Sequence, residues 1–203
     1  MVKIRIYVEG GGDQHALKSK CRAGFRMFFE KVLPQGRMPS IIACGSRDKA
    51  FDYFCTAIRQ HKDAFCVLLV DSEAPLKDNS KRWDHLRDRD RWNKPGGADE
   101  EHIHFMVQCM ESWFMADKEC LAIFFGQGFD ANAIPDNPNI EAVSKADIFN
   151  GLKSASRNTK TKGKYGKGVH SFDILSKISP AKVRKASEHA DILLRTLEKK
   201  ISD

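Results

Sequence analysis

Acidic residues follow two predicted strands in this sequence, and their positions suggest metal chemistry. Residues 2–8 have the period-two pattern of a strand and lead to Glu9; the apolar run 65–70 leads to Asp71 and, two residues later, Glu73. In an open α/β sheet, ligands bind beyond the carboxyl ends of the strands, and residues i and i+2 of a continuing strand point the same way. Crowded carboxylates repel one another unless a hard cation such as Mg²⁺ or Mn²⁺ neutralises them. We therefore expect Glu9, Asp71 and Glu73 to bind magnesium or manganese and to serve in catalysis.

The loop after the first strand strengthens this expectation. Three consecutive glycines, Gly10 to Gly12, permit backbone conformations closed to other residues and a close approach of a metal or phosphate. They match neither the phosphate-binding P-loop nor the dinucleotide fingerprint. Asp13, which follows them, has two interpretations: a fourth metal ligand, or the N-cap of the next helix.

Four further residues have a chemical and a structural interpretation. Glu111 follows a strand predicted at 103–107 and could join the carboxylates in catalysis, by serving a second metal or positioning a water molecule; it could equally be an acid in a first helical turn. Asp117 has the same two interpretations, with the structural one favoured. His102 and His104 have strand spacing, but no third zinc ligand is evident nearby, so structural roles are favoured for both.

Basic charge is concentrated in the last quarter of the chain. Residues 153–203 contain 13 Lys+Arg and 5 Asp+Glu, whereas residues 1–152 contain 21 and 22. This asymmetry indicates a polyanionic partner, most simply a phosphodiester backbone. Residues 153–167 include no acid, so their lysines could bind phosphates and their tyrosine could stack on a base; the alternative is a solvated surface loop. The candidate nucleic-acid-binding residues are Lys160, Lys162, Lys164, Tyr165 and Lys167.

The order of predicted elements indicates how these residues are positioned. Strands are predicted at 2–8, 40–44, 65–70 and 103–107, and helices at 16–32, 48–61, 141–155 and 180–200; residues 110–125 are predicted to form one helix or a pair of short helices. Their alternation predicts an α/β fold, a Rossmann-like three-layer sandwich with a largely parallel central sheet and flanking helices. At 203 residues we expect one domain, with a core at 1–152 and a basic loop and C-terminal helix at 153–203 packed on it. Half of residues 74–101 are charged, so this segment is predicted to be a surface excursion with one short helix, outside the core, with Trp83, Leu86 and Trp92 among its few apolar anchors.

Composition argues against membrane and secreted classes. The chain is 41% hydrophobic and 30% charged, and no apolar run approaches the roughly 18 residues that span a bilayer. The start of the chain has no signal-peptide pattern. None of the six cysteines forms a Cys-x-x-Cys pair, so we expect reduced thiols in a cytoplasmic protein.

The acidic pattern resembles the Toprim domain shared by topoisomerases, primases and OLD-type nucleases. The resemblance implies that Glu9 acts as a general acid/base or metal ligand, that Asp71 and Glu73 bind magnesium, and that Asp13 matches an acid of some OLD-type members. The second acid here is Glu73, one carbon longer than the usual aspartate. The chain is more similar still to a Toprim-like bacterial family, domain of unknown function 4276, over most of its length. The matching segments are residues 8–10, 69–75 and 104–117.

Three functions are consistent with these residues. The leading hypothesis is a metal-dependent phosphodiesterase acting on nucleic acid; genes of similar families often stand beside an ATPase gene in bacterial defence clusters, which implies an ATPase partner. The alternatives are a non-catalytic Toprim-like module that binds nucleic acid or an ATPase, and a small-molecule phosphohydrolase. The sequence leaves the choice between monomer and homodimer open.

Overall fold

A four-stranded, all-parallel sheet forms the centre of the fold. The computed structural model describes residues 2–76 and 81–202, so residues 77–80 of the predicted excursion lie outside the described part. The strand order is β2-β1-β3-β4, with β1 and β3 in the middle. The strands are β1 Lys3–Glu9, β2 Ser40–Gly45, β3 Ala64–Asp71 and β4 Ile103–Met106. The predicted α/β sandwich with a parallel sheet is confirmed.

Helices cover both faces of this sheet. Successive residues of β3 pack on opposite faces of the sheet: Cys66 and Leu68 pack with the helices at 47–60 and 82–90, whereas Val67 and Leu69 pack with the helices at 15–30 and 188–202. Because both faces are buried, β3 is apolar from Ala64 to Val70 and does not alternate before it ends at Asp71. The helices are α1 His15–Glu30, α2 Arg47–Gln60, α3 Arg82–Asp90, α4 Lys118–Phe125, α5 Lys145–Ala155, α6 Ser171–Leu175, α7 Pro180–Ala186 and α8 Glu188–Ser202.

Of the two alternatives at 110–125, the structure has the pair of short helices, and one other predicted helix is divided. Residues 110–125 form a 3₁₀ helix, Met110–Ala116, followed by α4. The segment predicted at 180–200 breaks at Ser187, whose backbone is extended and whose hydroxyl donates to Glu141 at 2.5 Å. A hydrogen bond to a distant residue thus ends α7 where the apolar pattern continues.

The expectation that residues 74–101 lie outside the core is wrong in part. Trp83 and Leu86 of α3 and Trp92 beyond it are buried against Phe54 of α2 and the sheet. The few apolar residues of this charged segment thus attach it to the core, as predicted, but they are themselves part of that core. We call residues 74–101 the excursion.

The C-terminal segment shares the larger core. Ile174, Val183, Leu193 and Leu197 are buried in the same cluster as β1 and α1. All six cysteines are free thiols. Among the described residues, no helix combines the length and apolar character that crossing a membrane requires.

Candidate metal centre

The structure brings three carboxylates together at the carboxyl edge of the sheet. One oxygen from each of Glu9, Asp71 and Glu73 lies within 4.8 Å of the other two. Glu9 ends β1 and Asp71 ends the adjacent β3. The two strand ends are also joined directly, because the backbone N–H of Asp71 donates to Glu9 Oε2 at 3.3 Å. We call these three residues the acidic cluster.

Glu73 reaches the cluster by a different route from the expected one. Strand β3 ends at Asp71, so the i, i+2 geometry of a strand does not extend to Glu73. Glu73 has a left-handed backbone with φ +65°, and its N–H donates to the carbonyl of Gln108 at 2.8 Å. Left-handed backbone at a non-glycine residue is strained and occurs preferentially at functional sites.

Two cations that the sequence pattern did not reveal border the cluster. Arg47, the first residue of α2, donates from Nη1 to Glu9 Oε2 at 3.1 Å. Lys145, the first residue of α5, donates from Nζ to Glu73 Oε2 at 2.6 Å and lies 3.9 Å from Asp71 Oδ2. Partial burial alone would raise the pKa of Glu73, but the bond to Lys145 holds it below its usual value. Each cation lies at the start of a helix, far in sequence from its acid, so local pattern gave no signal for it.

Asp71 is the most deeply buried acid of the cluster. It is 5% exposed, and its Oδ1 accepts the backbone N–H of Met110 at 2.9 Å. Burial first, and then the charges of Glu9 and Glu111, raise the pKa of Asp71 to about 8. The protein alone therefore does not supply enough positive charge to ionise Asp71 at neutral pH. A divalent cation would remove this deficit.

Glu111 faces the same space from a fully buried position. Its Oε1 accepts hydrogen bonds from the hydroxyls of Tyr165 at 3.0 Å and Ser171 at 3.3 Å. Its Oε2 has no hydrogen-bond partner among the described residues; the nearest ammonium, that of Lys167, is 4.0 Å away. Leaving a buried carboxylate oxygen without a donor is costly, so this oxygen fits a site that receives a cation.

Glu9, Asp71 and Glu111 line a pocket of about 290 Å³. Lys167 and Ser171 line the same pocket and lie close to Glu111. Partial burial alone would lower the pKa of Lys167, but Glu111 and Asp71 raise it above its usual value, so this lysine stays charged. The pocket thus places a fixed positive charge beside the carboxylates.

The glycine loop shapes one wall of this pocket. Gly10 and Gly45 exchange two backbone hydrogen bonds of 2.9 Å, which hold the loop against the end of β2. Gly45 has φ +88°, and a Cβ there would lie 2.6 Å from the carbonyl oxygen of Gly12. The close approach of the two segments therefore requires glycine at 45.

The basic stretch contains exposed lysines and one buried tyrosine. Lys160, Lys162, Lys164 and Lys167 are all exposed, and Lys167 also lines the pocket. Tyr165 is 3% exposed and its hydroxyl is bound to Glu111, so the prediction that it stacks on a base is wrong. Burial, and then the charge of Glu111, raise the pKa of Tyr165, which keeps it a hydrogen-bond donor.

Asp13 is not part of the acidic cluster. Its carboxylate is exposed and pairs with Lys49 at 2.7 Å. The N-cap interpretation is wrong as well, because α1 begins at His15 with Gln14 as its N-cap. The expectation of a fourth ligand assumed that the loop stays at the strand end, but the turn over three glycines carries Asp13 to the surface.

Asp117 and the two histidines have structural partners. Asp117 caps α4 through Cys120 and accepts hydrogen bonds from the backbone of Ser179 at 2.9 Å and from Lys182 at 2.8 Å. His104 is buried with its Nε2 3.0 Å from the backbone carbonyl oxygen of Glu101, and burial lowers its pKa to about 3. His102 pairs with Asp99 at 2.6 Å. These contacts agree with the structural interpretations of all three residues.

Fold and site together define the class of this protein. It is a Rossmann-like α/β protein with a candidate metal centre at the carboxyl edge of an all-parallel sheet. The chain belongs to the family described as Domain of unknown function (DUF4276), whose model matches residues 8–198. No curated protein and no solved structure matches the chain.

Proposed function

We propose that this protein is a magnesium- or manganese-dependent phosphodiesterase that cleaves nucleic acid. The observation that carries the proposal is the convergence of Glu9, Asp71 and Glu73 beside the buried Oε2 of Glu111, which accepts no hydrogen bond from the part of the chain that the structure describes. Carboxylate oxygens are the ligands that Mg²⁺ and Mn²⁺ take in proteins, commonly together with substrate phosphates. The acidic cluster would hold the ion.

The residues around the ion would divide the remaining work. A bound Mg²⁺ or Mn²⁺ lowers the pKa of a water molecule and neutralises developing phosphate charge. Lys167, charged and at the pocket, would bind a phosphate oxygen. Glu9 could alternatively protonate the leaving oxygen, since it lies at the pocket edge with its side chain 21% exposed. Glu111 would position a water molecule or a second ion.

The exposed lysines favour a polymeric substrate over a small phosphate ester. Lys160, Lys162 and Lys164 lie outside the pocket lining, on the loop that delivers Lys167 to it. A small substrate held inside the pocket of about 290 Å³ would not contact these three lysines. A polynucleotide that extends beyond the pocket would meet their charge along its backbone.

The wider biological setting is part of the same proposal. The acids at the ends of β1 and β3 support a relationship to the Toprim domain, which implies a role in bacterial defence or DNA processing with an ATPase partner, in the cytoplasm. A homodimer would be compatible with this role.

Cleavage assays with matched variants test the proposal. Purified protein with Mg²⁺ or Mn²⁺ is expected to cut single-stranded DNA, duplex DNA or RNA, and Glu9→Gln and Asp71→Asn are expected to abolish cutting while the circular dichroism spectrum is retained. Glu119→Gln is the control, because Glu119 is exposed and paired with Lys182 on α7. If the protein binds nucleic acid but cuts none, even with an ATPase supplied, it is a non-catalytic module and the proposal is wrong.

A further inference from the structure

Arg47 links the acidic cluster to the excursion. Its guanidinium donates from Nη1 to Glu9, and from Nε and Nη2 to the two carboxylate oxygens of Asp90 at 3.0 and 2.7 Å. Asp90 is the last residue of α3. The side chains of Arg47 and Asp90 are only 12% and 11% exposed. The pair is therefore a largely buried, two-pronged ion pair, the strongest geometry that arginine forms with a carboxylate.

An aromatic stack fixes the guanidinium on its other side. Its central carbon lies 5.1 Å from the ring centroid of Trp92, within the range of a cation–π contact. The Trp92 ring stacks in turn on Phe51, with the ring centroids 4.3 Å apart. Trp92 and Asp90 both belong to the excursion, so this segment determines where Arg47 lies.

Arg47 is shared between the carboxylates of Asp90 and Glu9, so Glu9 receives only part of its hydrogen-bonding capacity. Asp90 takes Nε and Nη2, which leaves Nη1 for Glu9 Oε2 and for the backbone carbonyl of Asp71. Glu9 is thus bonded to one nitrogen of a cation that is also paired with Asp90, a carboxylate that accepts from Arg89 as well. A cation bound only to Glu9 would compete with a metal ion for the same carboxylate.

We propose that Asp90 and Trp92 hold Arg47 so that its charge is shared between Asp90 and Glu9, and that this sharing sets the metal affinity of the acidic cluster. This inference rests on the proposed function, because it requires a divalent ion at the cluster. It assigns the excursion a role in building the site, in place of a lid or a docking segment. Outer-shell partners of this kind change metal affinity roughly 10- to 100-fold when they are substituted.

Two substitutions are expected to move metal affinity in opposite directions. In Asp90→Asn, Arg47 loses a carboxylate that offsets its charge, so its attraction for Glu9 becomes stronger. Arg47 then competes more strongly with Mn²⁺ for Glu9, and the dissociation constant for Mn²⁺ is expected to rise about tenfold. In the double variant Arg47→Met/Asp90→Asn, both members of the buried ion pair are removed, which avoids an unpaired buried charge. Glu9 is then free of a competing cation, and Mn²⁺ is expected to bind more tightly than to the wild-type protein.

Titration calorimetry with Mn²⁺ measures these affinities, and Asp88→Asn is the matched control. Asp88 lies on α3 like Asp90, but its side chain is 77% exposed and pairs with Arg87. If the three residues only stabilise the fold, Asp90→Asn and the double variant will weaken Mn²⁺ binding alike, which overturns the inference. It is also overturned if Asp90→Asn behaves like Asp88→Asn. If wild-type protein shows no Mn²⁺ binding that Glu9→Gln removes, the proposed metal site is wrong and this inference with it.

Discussion

Asp71→Asn is expected to make the metal-free protein more stable while it abolishes metal binding. The ordinary pKa of an aspartate is near 3.8, and burial with the charges of Glu9 and Glu111 raises that of Asp71 to about 8. Between these two values the unfolded chain has released a proton that the folded protein retains. Because the folded pKa is the higher one, the stability of the wild-type protein falls as the pH rises through this window.

The size of the effect follows from the proton count. One proton retained in the folded state costs about 1.4 kcal/mol per pH unit, so the stability advantage of Asp71→Asn should grow by about 2.7 kcal/mol from about pH 5 to about pH 7. Asparagine does not titrate, and its Oδ1 can still accept the N–H of Met110 that Asp71 accepts. The gain in the free energy of unfolding of Asp71→Asn over the wild-type protein therefore measures the free energy that burial of the Asp71 carboxyl group costs.

Urea unfolding in EDTA at several pH values measures this difference. Asp13→Asn is the control: the bond from Lys49 and its charge lower the pKa of exposed Asp13, so both folded and unfolded states are ionised across the range. The difference in the free energy of unfolding between Asp13→Asn and the wild-type protein should not change with pH. A difference for Asp71→Asn that is equally constant would mean that Asp71 is ionised throughout, and would refute this account of the site.

Three further substitutions test individual parts of the site. Tyr165→Phe removes a donor from the buried carboxylate of Glu111 and should cost about 1–3 kcal/mol in urea unfolding, whereas Tyr53→Phe at an exposed ring should cost little. Gly45→Ala should cost about 1–3 kcal/mol, because its Cβ would meet the Gly12 carbonyl; Gly36→Ala is the control, since its φ is also positive but its Cβ would meet nothing within 4 Å. Replacing Lys160, Lys162 and Lys164 by alanine should reduce the slope of log affinity for single-stranded DNA against log salt by about 2, and alanines at exposed Lys177 and Lys185 should leave it unchanged.

The sequence predicted the sheet well, because each strand carries its own apolar pattern. The observed β3 differs from the predicted 65–70 by one residue at each end. Glu9 and Asp71 were found for the same reason: they directly follow strands, and parallel strands end at one edge. The order of the strands and the choice of ion-pair partners are tertiary, so Arg47 and Lys145 had no local signal.

In the basic stretch, the local sequence pattern predicted the position of a side chain wrongly. A tyrosine among lysines and glycines is expected on the surface, yet Tyr165 is buried. Its partner Glu111 lies 54 residues away, and only the folded chain shows that this carboxylate needs donors. The excursion was misjudged only in part: Trp83 and Leu86 were predicted to be its apolar anchors, but its high charge suggested a segment outside the core in which both are buried.

Diffraction from a crystal soaked in Mn²⁺, recorded for the anomalous signal of manganese, tests the central claim most directly. We expect one strong peak bound by oxygens of Glu9, Asp71 and Glu73 at about 2.1–2.2 Å, close to the distances of small hard cations. A crystal that shows well-ordered manganese elsewhere, and Glu9 still bound only to Arg47 and the Asp71 backbone, would contradict it.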